Sequence, residues 1–402
     1  MDPKRPSASK RVLRILLWLV GIVLVLVLAG LFWFDRMLRS KYEPAIAQLQ
    51  KDVTENVDFF CAQQVLLGAD PWFHEPRTEG DAGPLLNSWV EWEGKGGRPM
   101  PQGSPLAIPA HLPQRVGDFK DWLTSQADVS TLDFHWMEQL HAYDRWDILN
   151  GSPIASSQPF NMATASIPNF VSLQLWAKFR LLHGLRTGQP LQAARDVRQL
   201  AWLAYRTDTL LGGVVATLLL KAEREAYQSM QAPPPEWRPM TPEQVERMRV
   251  LLMTSVGFSN IAAPVNVAKK ARSCGEPAVT RCTALAEGGF MVKYLQPLAQ
   301  ETYREAYSAF GEDVAASSCA TSLARTAWEH GITIDQETQQ DETPLGQPEA
   351  LKKLPRGYVS NYIAGILIAI GSPEFKRLQD FHKSLDAGDF KAEPAAPPAS
   401  PP

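Results

Sequence analysis

The sequence is short of the residues and spacings that announce chemistry. It has no Gly-x-Ser-x-Gly elbow and no His-Glu-x-x-His pair, so neither an elbow-type hydrolase nor a zinc protease is written in it. It has no glycine-rich phosphate loop; Gly94-Lys95-Gly96-Gly97 lacks the spacing and the helix that should follow. One Ser-x-x-Lys match, Ser7 and Lys10, lies in an N-terminal tail with no fold around it. Cysteine is scarce: four in 402 residues, none in a C-x-x-C pair, which removes the spacing for zinc or thioredoxin-like exchange. Excess charge of either sign is also missing. A net charge of −3 argues against nucleic acid, which would want a basic face.

Long hydrophobic runs are absent but for one. Residues 15–34 read ILLWLVGIVLVLVLAGLFWF, twenty residues without a charge. As a helix they span roughly 30 Å, the thickness of a bilayer's hydrocarbon core. Lys4, Arg5, Lys10, Arg11 and Arg14 precede the run; Arg36, Arg39 and Lys41 follow it, diluted by Asp35 and Glu43. That asymmetry predicts a basic cytoplasmic tail (1–14), an anchor (15–34) and the bulk of the chain outside the inner membrane, periplasmic or extracellular. The alternative is a signal peptide cleaved after Ala29. The run continues through Leu31–Phe34, however, and exceeds a usual signal core. The bilayer is thus the first expected partner, through residues 15–34.

Beyond the anchor the patterns are helical. Ala45, Ile46, Leu49, Val53, Val57 and Phe60 recur at threes and fours, behind Pro44 as a first-turn residue. Pro71–Pro113 holds eight prolines and six glycines and should be mostly irregular, with a strand-like piece at Trp89–Trp92. Its aromatics Trp72, Phe73, Trp89 and Trp92 offer either a partner-binding surface or a strap packed over the helices; the strap is preferred. Helices are predicted at 116–125, 132–149, 168–185, 190–205, 207–227 and 241–256, then at 290–310, 312–328, 358–370 and 372–385. Gly212-Gly213 would allow close helix contact. Pro233-Pro234-Pro235 divides a first helical domain (35–232) from a second half (236–388), and 389–402 is a disordered Pro/Ala tail. The expected fold is all-α: an irregular helical bundle or helical-hairpin array behind one transmembrane helix, with long Pro/Gly-rich loops.

Outside the cytoplasm disulfides become possible. Cys274 and Cys282, which flank a short loop, are the expected pair, leaving Cys61 with Cys319; buried free thiols are the alternative. The densest polar-aromatic stretch is 133–147, DFHWMEQLHAYDRWD. On a helix Glu138 and His141 share a face at the Glu-x-x-His spacing of di-metal bundles, but no second copy exists, so no metal or cofactor is implied. Asp144 and Asp147 could divide acid and base roles.

Three functions follow. The preferred one is an anchored scaffold or interaction component of the cell envelope, with a protein partner. The second is an anchored enzyme working through His135, Glu138, His141, Asp144 and Asp147. The third is binding of a lipid or small apolar ligand among the helices.

Overall fold

The computed structural model describes residues 8–94, 97–114, 117–123, 125–153, 166–260, 265–272 and 372–390, with isolated positions between 274 and 329. The described chain is mostly helical. The helices expected at 290–310 and 358–370, most of 312–328, and the tail from 391 lie outside the described residues.

Helix α1, Ala8–Gly68, runs unbroken from the apolar segment into the domain. Pro44 does not open a new helix; it lies inside α1. Its ring removes the bond to the Ser40 carbonyl, but both residues are exposed, so water can take the bond's place. Leu16–Phe34 has a mean hydropathy of 2.8 and none of it is buried, and among the described residues it is the one helix long and apolar enough to cross a membrane. Further along α1 the expected stripe is in place: Leu49, Val53, Val57 and Phe60 are buried. That stripe packs on α8, Pro242–Asn260, and α9, Val265–Arg272.

The centre is a three-helix stack. Helix α5, Phe170–Thr187, starts where the Asn169 side chain accepts from Val171 N at 2.9 Å, and stops at Gly188, which takes a left-handed φ of 73° that favours glycine. Helix α6, Pro190–Tyr205, and α7, Leu210–Gln228, follow. The cap of α7 is Thr209, whose Oγ1 accepts from Gly212 N at 3.0 Å, so the helix starts three residues after the expected 207. Helix α6 packs on both neighbours, and Val197, Leu200, Ala201 and Leu203–Tyr205 are all buried. Gly213 lets α7 close on α8: a Cβ there would overlap the Leu252 side chain. Packing therefore continues across the proline boundary. Helix α8 opens with a reciprocal cap, Gln244 N donating to Thr241 Oγ1 (3.1 Å) and Thr241 N to Gln244 Oε1 (2.7 Å).

The described residues of 71–153 form a strap over this stack. It contains a 3-10 turn at Pro71–His74 and the short helices α2 (Gly83–Trp89), α3 (Phe119–Leu123) and α4 (His135–Gln139), with a 3-10 turn at Leu140–Ala142. The expected strand at Trp89–Trp92 shifts, because Pro84 starts a helix that runs to Trp89. Strand β1 is Trp92–Glu93, paired antiparallel with β2, Ile167–Pro168. The predicted helix 132–149 is cut short at Ala142. The Gln199 amide of α6 takes the carbonyls of Leu140 (2.9 Å) and Tyr143 (2.6 Å), and the chain turns extended at Tyr143.

The cysteines pair otherwise than expected. Cys61 bonds Cys274 and Cys282 bonds Cys319, with Cα separations of 4.9 and 5.4 Å. Helix α9 lies along α1 and delivers Cys274 to Cys61, so proximity in space overrides proximity in sequence. The last helix among the described residues, α10, spans 372–386, close to the expected 372–385; its Phe381 meets Phe59 of α1 edge-on at 6.1 Å.

Candidate functional site

The segment 133–147 does not gather its polar groups on one helical face. His135 and Glu138 are exposed on α4 and face each other, Nδ1 to Oε2 at 3.3 Å. His141 turns away from Glu138, so the Glu-x-x-His pair shares no site. Its Nε2 meets Asp196 Oδ1 at 2.9 Å. Asp196 is fully buried on α6 and also accepts from Arg180 Nε at 2.7 Å and Gln192 Nε2 at 3.1 Å. Asp144 and Asp147 lie beyond the helix end, on irregular chain. Asp144 meets Trp202 Nε1 at 3.2 Å and Arg206 at 3.6 Å. Asp147 accepts the backbone N–H of Leu149 at 3.0 Å and of Ser322 at 2.8 Å. Among the described residues no three His, Cys, Asp or Glu side chains stand together as metal ligands.

The four aromatics proposed as a docking surface turn inward. Trp72 and Trp92 are buried, and Phe73 and Trp89 half-buried. The Trp72 ring sits edge-on to Trp202 at 5.1 Å; Phe73 meets Tyr205 at 5.6 Å, and Trp89 meets Trp136 at 6.3 Å. Trp92 Nε1 donates to the Asn87 carbonyl at 3.1 Å. Burial of rings this size is what gives a proline-rich segment enough free energy to hold one conformation.

Around Trp202 the strap and the stack meet in a seam of cations and aromatics that periodicity alone does not reveal. The Arg77 guanidinium lies 3.5 Å from the Trp202 ring centre and donates to the Trp72 carbonyl at 3.0 Å. Arg198 of α6 bridges Glu75 of the strap (3.3 Å) and Glu223 of α7 (3.8 Å). Burial sets the electrostatics here. It lowers the Arg77 pKa to about 10 despite Glu75, and raises that of Glu223 to about 7 despite Arg198 and the indole of Trp237, which donates to Oε1 at 2.8 Å. The sequence does carry one signal of this seam. Asp196, Arg180 and Glu223 each fall among core-facing residues of an apolar helix, where an ionised group must find a partner.

Buried charged and aromatic groups of this kind hold elements in register, although Arg198 Nε and Glu223 Oε2 stand 3.8 Å apart, beyond hydrogen-bond reach. His141 and the exposed His135–Glu138 pair face different partners and form no common site. No known protein family, curated protein or solved structure matches the chain.

Proposed function

We propose that this chain is a single-pass envelope protein whose helical domain, held on the outer side of the inner membrane, acts by contact as a scaffold or interaction component. The observation that carries the reading is the continuity of α1. One helix is apolar on every side over Leu16–Phe34 and then amphipathic in the domain's core. The basic tail before it and two cysteine pairs at bonding distance support an outward, oxidising location. Contact rather than catalysis is favoured because Asp144, Asp147 and His141 are engaged in fastening the strap.

Protease added to spheroplasts tests the topology. It should digest the domain and leave the N-terminal fragment in the membrane; an intact domain with the first residues removed would reverse the orientation. Joint alanine substitution of the exposed His135 and Glu138 tests the mode of action. Loss of cellular function with unchanged folding would replace the contact reading with an enzymatic one.

A further inference from the structure

A cavity of about 570 Å³ opens between α3, the second half of α7, the start of α8 and α10. That volume suits a small molecule. Its two sides differ in character. Val245, Phe381 and Phe390 supply an apolar wall, with the two phenylalanine rings edge-on at 5.7 Å. Lys120, Lys221, Arg224 and Arg377 supply four cations. Arg224 is buried in the wall, where its Nη1 donates to the Met240 carbonyl at 2.8 Å. Three carboxylates also line the space, Glu225, Glu246 and Asp380. Glu225 is already engaged, accepting from Phe119 N at 3.0 Å and facing Lys221 at 3.5 Å. A second cavity of about 330 Å³ shares Lys221 and Glu225 with the first and ends at Lys178, a buried lysine that donates to the Gly117 carbonyl. Asp118 lines that second space as well; the first, with Val245 and the two phenylalanines beside its four cations, is a trough of mixed character.

We propose that this trough binds an amphipathic carboxylate, its hydrocarbon against Val245, Phe381 and Phe390 and its head among Lys120, Lys221 and Arg377. Lys221 already faces Asp118 at 3.3 Å and Glu225 at 3.5 Å, and Arg377 faces Glu374 at 3.3 Å; the charge-assisted bond a carboxylate adds is therefore chiefly to Lys120, and a cationic or neutral amphiphile of the same shape would not make it. The site does not depend on the orientation of the anchor or on the contact reading above.

The test is photolabelling of the full chain in nanodiscs with decanoic acid carrying a diazirine at its chain end. Label should appear on peptides containing Val245 or Phe381–Phe390, and unlabelled decanoate should compete where decanol does not. The paired variant Lys120→Glu, Arg377→Glu changes two exposed side chains and should cut labelling there about tenfold, a loss of about 1.4 kcal/mol of binding. Val245→Trp, which fills the apolar end without changing charge, should do the same. Label confined to Leu16–Phe34, equal competition by decanol, or undiminished labelling of the paired variant with native circular dichroism would each overturn the proposal.

Discussion

The α5–α7 stack and the strap that covers it reach similar burial by different means. The stack is held by apolar faces that recur every three or four residues, so its helices are specified locally and then pack. The strap has little periodicity. It is held by side chains bonding to distant backbone. Asn87 alone donates to the carbonyls of Asp147 (2.9 Å) and Asn150 (2.7 Å) and accepts from Trp146 Nε1 at 2.8 Å. Asp81 accepts from Gly83 N (2.8 Å), Asp147 N (2.9 Å) and Asn150 Nδ2 (2.8 Å). A loop becomes a fixed part of a core when polar side chains supply the partners that a regular ladder would otherwise give its backbone.

The comparison is broken most severely at Trp202, which belongs to both regions. Trp202→Ala should cost about 3–5 kcal/mol and open strap and stack together, seen as a single lowered thermal transition. Asn87→Ala should separate them. It strands a buried indole and two carbonyls, at about 1–3 kcal/mol for each group left unpaired, and should expose 71–153 to limited proteolysis while α5–α7 keep their amide protection.

Glu223 sharpens the contrast by pH. Its carboxyl ionises more readily in the unfolded chain than in the fold. It therefore contributes stability that is fully present below about pH 4.5 and is lost as pH rises through about 7. Glu223→Gln should flatten that slope and raise stability at pH 8 by at most about 3.5 kcal/mol, at about 1.4 kcal/mol per pKa unit, as read by urea melts across pH. The smallest effect lies outside both regions, at the start of α8. Thr241→Ala removes one half of the α8 cap and should cost about 1 kcal/mol without disturbing the strap.

The same contrast explains what could be read in the sequence. The span of α6 and the start of α8 were legible because Pro190 and Thr241-Pro242 carry their own start chemistry, and α5 begins and ends within two residues of the expected 168–185. The spacing of Leu49, Val53, Val57 and Phe60 likewise foretold the buried face of α1. The end of α4 was not legible, because the group that terminates it, Gln199, lies more than fifty residues away. The cysteine partners were hidden for the same reason: Cys61 and Cys274 are 213 residues apart and meet only once α9 lies on α1. The Trp202 seam was missed, because Arg77, Glu75, Arg198 and Glu223 come together only when the strap lies on the stack.

The uninterrupted α1 also makes the lipid-embedded rod an axle for whatever it carries. Successive helical residues advance the chain by about 100°. Inserting one residue near Ser40 should therefore swing the globule a quarter-turn and more about the membrane normal, whereas inserting seven should return it almost to its starting bearing, one step farther from the lipid. Any neighbour in the same bilayer that must meet a particular side of this globule will notice the first change and tolerate the second.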